Sequence, residues 1–459
     1  MKKTLITVLT LIMIFTSALG SLDAADAYAA TEAPDIIAEA GILIDGTTGE
    51  ILYTKNEHAQ LEPASTTKMI TCLLGLENLD LDETMVIDAE TPYTEGSRVY
   101  LLEGEEIKTE DVFYALMLES ANDAAVAIGN AVAGDKESFA AMMNEKAKEL
   151  GCLNTNFVNQ NGLHEEGHVS TAYDLAMIAK ACMQNETFRT LVSTYKHDVP
   201  ATNLQEERHF YNTNRLLYDT KTKVPVGDEM VAAKYDGCIG IKTGYTSHAG
   251  GCLVAGAVRD DTFLIAVVLK STDEGRFGDC ISLLDYGFAN YHTVYPSGVE
   301  AGMDLGTAKV KHGAVRKVGV TTNGTVGVTL PIEASNDLLS TKLVLDKGIK
   351  APLEKGQEIG TLEVYEGDNV VATLAAITTD SVGKGTILSY IGIPNSIAYV
   401  IFAVVGIIIL AFAALIIYVK VHNAKVRKIK KQRREERLME MARAQHEEKM
   451  DKTRRDWKF

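Results

Sequence analysis

Positive charge is scarce in this chain everywhere except at its end. The last 40 residues, 420–459, hold 15 Lys and Arg against 7 Asp and Glu, a net +8; the rest holds 30 against 55, a net −25. So acidic a body argues against nucleic acid as a partner, because a phosphate backbone is held by clustered cations. Cysteine is sparse as well. Six are present, Cys72, Cys152, Cys182, Cys238, Cys252 and Cys280, widely spaced. An even count outside a cell permits disulfides. Apolar neighbours, as in Thr71-Cys72-Leu73 and Gly251-Cys252-Leu253, favour buried free thiols at least as well.

Long apolar runs are also few. One, Leu5 to Phe15, follows Lys2 and Lys3 and precedes the small-residue site Ala27-Tyr28-Ala29. That is the pattern of a secretory signal, residues 1–29, and the run is too short to span a bilayer comfortably. The other, Ile397 to Val419, has 23 residues without a charge, enough to cross. Eight basic residues follow it by position 434, whereas Lys384 is the only one between Lys355 and the segment. This asymmetry predicts a single-pass protein of the cell membrane. Residues 30 to about 395 lie outside, and a basic tail, 420–459, lies in the cytoplasm against anionic lipid. Residues 425–450 read as a charged helix, with no partner indicated.

Between these segments the pattern is mixed. Ala40–Tyr53 is a hairpin about a Gly-rich turn. Helical stretches follow at Pro63 onward, 109–133, 136–150 and 171–187. The β-rich runs 237–245, 251–256 and 262–269 and a helix at about 276–291 complete the unit. This order predicts an α+β domain over 30–294, in which terminal and central strands share one antiparallel sheet with helices. From about 295 to 390, short strands alternate with turns at Asn323-Gly324, Lys355-Gly356 and Glu366–Asn369. They predict a small all-β domain without a catalytic cluster, serving as a spacer or a platform for a partner.

The chemistry is sought at Pro63-Ala-Ser65-Thr-Thr-Lys68. Proline and small polar residues ahead of an apolar run mark a helix start. Ser65 and Lys68 share one helix face. A lysine of depressed pKa activates a serine, and the helix N-terminus favours both the alkoxide and the neutral amine. Ser193/Lys196 and Ser381/Lys384 have the same spacing, so the pair alone decides nothing. Ser120-Ala-Asn122 lies 55 residues beyond Ser65, in a break between helices, where it can be a cap or can pass a proton and orient the lysine or a substrate carbonyl. Lys242-Thr243-Gly244 lies 122 residues beyond Ser120. A cation and a hydroxyl suit a carboxylate, glycine admits an added substrate strand, and the Tyr245 N–H can join that of Ser65 as an oxyanion hole. Lys242 also lowers the cost of a neutral Lys68.

Only Ser65 has both partners downstream. The ordered triple Ser-x-x-Lys, Ser-x-Asn, Lys-Thr-Gly resembles that of the serine β-lactamases and penicillin-binding proteins. Over about 35–385 the chain resembles the D-alanyl-D-alanine carboxypeptidases, the low-molecular-mass penicillin-binding proteins. Phe157–Leu163, Ser170–Ala176, Asn212–Leu217 and Lys355–Gly360 also look like family signatures. The resemblance implies a β-lactamase/DD-peptidase-like catalytic domain and attack by Ser65 on the D-Ala-D-Ala bond of a peptidoglycan stem pentapeptide. Lys68 is then the base and Ser120 a proton shuttle. Asn122, Lys242, Thr243, Gly244 and Tyr245 hold substrate, and β-lactams inhibit. One departure stands out: such proteins usually end in an amphipathic helix on the membrane, and here a full span and a tail follow.

Three other readings compete. His164-Glu165-Glu166-Gly167-His168 fits the zinc-protease pattern, but that pattern needs a helix, and glycines at 162 and 167 argue for a loop; no metal or cofactor is assigned. A β-lactamase needs an added general base for deacylation, for which no motif is evident. A non-catalytic receptor for cell-wall peptide or β-lactam, signalling through the tail, keeps the pocket without turnover.

Overall fold

Phe263 to Leu269 is an unbroken apolar run, and a strand of this kind needs cover on both faces. In the computed structural model, which describes residues 31–297 and 299–456, it has that cover. The proposed signal peptide, 1–29, lies outside the described residues. Strands β1 (Ala40–Asp45), β2 (Ile51–Lys55), β3 (Cys238–Thr246), β4 (Gly250–Arg259) and β5 (Thr262–Ser271) form one sheet in the order β2-β1-β5-β4-β3. Every pairing in it is antiparallel. The N-terminal hairpin and the later strands thus share one sheet, as the element order predicts, and the first strand pairs with Thr262–Ser271 at its centre.

Alternation sorts the side chains. Ile42, Ile44, Ile265, Val267 and Leu269 pack on one face. There they meet helices α1 (Lys68–Asn78), α2 (Thr109–Leu118), α3 (Asn122–Ala133), α4 (Lys136–Glu149), α5 (Ala172–Cys182) and α6 (Glu186–Ser193). Leu43, Leu264, Ala266 and Val268 pack on the other, against α7 (Gly275–Asn290). β3 is an edge strand, so one of its sides is open to other elements. All six cysteines are free; all but Cys238 are buried, and burial raises the thiol pKa of each.

The chain divides into two compact units, but not at a single point near 295. Residues 325–341 and 364–373 belong to the first unit. The strand Tyr291–Val294 pairs with Val328–Pro331. Asp45, fully buried in the turn of the first hairpin, accepts hydrogen bonds from Thr293 Oγ1 (2.6 Å) and Thr329 Oγ1 (2.8 Å). A composition change along the chain marks where the strand-rich region begins; it cannot show which strands return.

The second unit, 300–324, 342–363 and 374 onward, has a β core of Ala308, Val310, Val318, Val320, Leu353 and Ile359. It continues into one helix, α8 (Asn395–Asp456), of 62 residues, about 90 Å at 1.5 Å per residue. This helix is long and apolar enough to cross a membrane, and its most apolar window buries nothing against protein. The charged helix expected at 425–450 is the continuation of the same rod.

Candidate active site

Ser65 sits on a 3₁₀ turn, Ala64–Thr67, that runs directly into α1. Ala64 has φ +48°, a left-handed conformation that costs an L-residue about 1–3 kcal/mol and collects at functional sites. The surroundings hold it there. Gly162, at φ +83°, lies so close that a Cβ on it would stand 2.0 Å from the Ala64 carbonyl oxygen. The segment around Gly162 is strapped to the nucleophile helix through Thr71, whose Oγ1 donates to the Gln160 carbonyl at 2.7 Å.

Lys68 is wholly buried. Burial drives its pKa far below the usual lysine value; the nearby cation Lys242 pushes the same way, and Asp123 opposes them. Among the described residues no carboxylate forms an ion pair with it. Its Nζ lies 2.6 Å from Asn122 Oδ1, 2.5 Å from the Asn161 carbonyl and 2.9 Å from Ser65 Oγ. A neutral amine has two N–H bonds and one lone pair. The two carbonyl-type oxygens can only accept, so they take both N–H bonds. The lone pair is left facing the Ser65 hydroxyl, which is the arrangement a base needs.

Asn122 starts α3 at a sharp turn where Ser120 has φ +57°. Besides accepting from Lys68, its amide donates to the Glu95 carbonyl at 2.8 Å. Both ends of its side chain are therefore engaged by the protein, which favours orienting the lysine over binding a substrate carbonyl. Ser120 is buried at the same turn; among the described residues it makes no hydrogen bond to Ser65 or Lys68. Such bonds are often long in a substrate-free site and tighten on binding.

The opposite wall is β3. Lys242 is buried, and burial followed by repulsion from Arg276 lowers its pKa to about 7. Its Nζ donates to the Thr243 carbonyl at 3.0 Å. Thr243 Oγ1 pairs with Thr213 Oγ1 at 2.8 Å. Arg276 Nη1 donates to the Gly244 carbonyl at 2.6 Å, its Nη2 pairs with Asp273, and its buried Nε has no partner. Gly244 explains itself by proximity. A Cβ there would stand 3.0 Å from the Ser65 nitrogen and 3.1 Å from the Pro63 carbonyl, so a side chain at this position would crowd the nucleophile turn. Tyr245, next along the strand, is 57% exposed.

The structure thus brings Ser65, Lys68 and Asn122 into direct contact, with Gly244 against Ser65. Three contributors were missed by sequence reasoning: the Asn161 carbonyl, Arg276 and Thr213. Asn161 and Thr213 lie in segments that look like family signatures, whereas nothing local marks Arg276. The decoy serines have structural partners. Ser193 Oγ donates to the Arg189 carbonyl within α6, and Ser381 Oγ accepts from the Lys355 N–H.

Residues 164–168 form a loop, and the two histidines of the zinc pattern diverge. His164 stacks on His248 and pairs with Glu62. His168 is buried, and its pKa falls to about 4 by burial. Its Nδ1 accepts from the Val158 N–H and its Nε2 lies 2.9 Å from Thr67 Oγ1, so it braces the nucleophile turn.

Residues 27–273 match the D-alanyl-D-alanine carboxypeptidase family, and residues 292–384 match the penicillin-binding protein 5 C-terminal domain. The D-alanyl-D-alanine carboxypeptidase DacF of Bacillus subtilis is 33% identical over 400 residues, covering 85% of this chain and 97% of the relative. DacC of Escherichia coli is 32% identical, covering 77% and 86%. Among solved structures, penicillin-binding protein 5 of Haemophilus influenzae aligns with a TM-score of 0.61 at 27% identity, over 77% of this chain and 100% of that one. On these matches, the chain belongs to the D-alanyl-D-alanine carboxypeptidases, serine peptidases with a penicillin-binding-protein C-terminal domain.

Proposed function

We propose that this chain removes the terminal D-alanine from peptidoglycan stem pentapeptides at the outer face of the membrane, through an acyl-enzyme on Ser65. One observation carries the reading: a wholly buried lysine whose Nζ lies within hydrogen-bond distance of two carbonyl-type oxygens and of the Ser65 hydroxyl, with no carboxylate ion pair among the described residues.

In the forward step Lys68 takes the Ser65 proton as Oγ attacks the carbonyl between the two D-alanines. The developing oxyanion is received by the N–H groups of Ser65 and Tyr245. The closeness of Gly244 to the Ser65 nitrogen supports that pairing. The free carboxylate of the last D-alanine lies against Lys242 and Thr243, with Arg276 behind them. Its negative charge stabilises protonated Lys242, whose pKa is otherwise depressed. Ser120 relays the proton to the leaving amine. Water then attacks the acyl-enzyme, and Lys68 serves as base again. A β-lactam enters the same path and leaves slowly.

Residues 1–29 act as a signal peptide, 30–294 as the catalytic domain, with 325–341 and 364–373 returning to its unit, the rest of 295–390 as the β domain, 397–419 as a single span, and 420–459 as a cytoplasmic tail. The charge asymmetry about the span supports this orientation.

The test is D-alanine release from a D-Ala-D-Ala pentapeptide by the purified full-length chain. Release should survive a chelator, stop with penicillin and vanish in Ser65→Ala. Acylation by penicillin without release would support the receptor instead, and rapid penicillin hydrolysis would support a lactamase.

A further inference from the structure

The second unit contains a cavity of about 870 Å³ that the peptidase chemistry does not use. Four of its lining residues are cationic, Lys309, Lys311, Arg316 and Lys317, and one is acidic, Asp346. Among the described residues none of these four cations is in an ion pair, although the body of the protein is strongly acidic. Cationic side chains left together around a concave space repel one another unless an anion is shared between them.

Two buried polar atoms at the cavity lack partners. Ser389 is only 5% exposed, and its Oγ has no hydrogen bond; the Nδ1 of His312 is likewise buried and unpaired. Gly392 and the exposed Tyr390, whose ring stacks on His312 at 4.3 Å, complete this wall.

The place of the cavity in the chain indicates what the anion is. Ser389, Tyr390 and Gly392 end less than ten residues before the apolar segment that starts at Ile397. The start of α8 is tied to the same loop. The Asn395 N–H donates to the Ala314 carbonyl at 2.9 Å, Asn395 Oδ1 accepts from the Thr386 N–H at 2.8 Å, and Arg316 Nε donates to the Gly392 carbonyl. Beside the cavity a short helix, Ile387–Ile391, holds out Ile387, Tyr390 and Ile391, each at least 70% exposed. Exposed isoleucines with a tyrosine, next to a span, match the chemistry of the bilayer interface. Cations in the same unit, close in sequence to the span, suit an anionic headgroup.

We propose that this cavity binds the phosphate of an anionic lipid headgroup from the leaflet that α8 enters. Lys309, Lys311, Arg316 and Lys317 supply the charge. The bound lipid fixes the height of the β unit above the membrane.

The inference rests on α8 entering a bilayer, so the test separates the two. The full-length chain in a neutral detergent is titrated with dihexanoyl phosphatidylglycerol, below its micelle concentration, and bound lipid is counted by native mass spectrometry. Dihexanoyl phosphatidylcholine and inorganic phosphate are the comparisons. One phosphatidylglycerol should bind at least fivefold more tightly than either. The double variant Lys311→Gln/Arg316→Gln should weaken it about tenfold, while Lys311→Arg/Arg316→Lys retains it. The tail is identical in all three proteins, so its own attraction for lipid cancels. D-alanine release should be unchanged, which checks folding. Equal binding by the wild type and the Gln variant overturns the proposal. So does equal binding of the two lipids, or displacement by phosphate at similar concentration. Sedimentation with phosphatidylcholine vesicles reports separately on insertion of α8; failure there would remove the span without touching the short-chain measurement.

Discussion

Two buried lysines face the same small space, and they are needed in opposite states. Lys68 must be neutral to accept the Ser65 proton. Lys242 must be charged to hold a carboxylate. Burial depresses both, and each is close enough to other cations for repulsion to add to that effect. The signs give a bell-shaped profile. As pH falls, Lys68 gains a proton and the base is lost. As pH rises through about 7, free Lys242 loses its proton and carboxylate binding is lost. A profile of kcat/KM reads the free enzyme, so its alkaline limb should fall near this value. Lys242→Arg cannot deprotonate in this range and should move the alkaline limb up by more than about one pH unit, even if it lowers the maximum. An unmoved limb in that variant would assign it to another group.

At the scale of elements, the site is a meeting of three pieces: the turn that opens α1, the break between α2 and α3, and the edge strand β3. Two glycines set how closely they meet, and they predict different losses. Gly162→Ala places a methyl against the Ala64 carbonyl at a left-handed φ, so it should destabilise the protein by about 2 kcal/mol or more. Thermal unfolding measures this. Gly244→Ala has an ordinary backbone but crowds the Ser65 nitrogen. It should lower acylation by about 100-fold, the usual cost of losing an oxyanion donor, with a smaller change in stability. Stopped-flow penicillin acylation measures that.

The same scale shows what a sequence carries. Ser65, Lys68 and Asn122 were legible because their spacing and order repeat a motif. The sheet was legible because alternation and unbroken apolar runs have period-two logic. The Asn161 carbonyl was not, since a backbone oxygen has no residue signature. Arg276 was not, because its approach to Gly244 depends on α7 packing across the sheet. The double engagement of Asn122 needed the Glu95 loop to be in place.

At the scale of the whole molecule, hydropathy and charge gave the most direct reading. A 62-residue helix begins apolar and ends basic, and the part outside it is acidic. The return of 325–341 and 364–373 to the first unit was hidden, because pairings between distant strands leave no local trace. If the span is oriented as the charges imply, protease added outside intact cells should remove the catalytic unit and spare an epitope at the C-terminus. Loss of the C-terminal epitope with the catalytic unit protected would reverse the topology.

The central claim is that Ser65 is the nucleophile and Lys68 its base. Trapping the full-length chain with penicillin and mapping the adduct by peptide mass spectrometry tests it most directly. The adduct should lie on the peptide that contains Ser65. It should be absent in Ser65→Ala and should form at least about 100-fold more slowly in Lys68→Ala. An adduct on any other residue, or undiminished labelling of Ser65→Ala, would contradict the account.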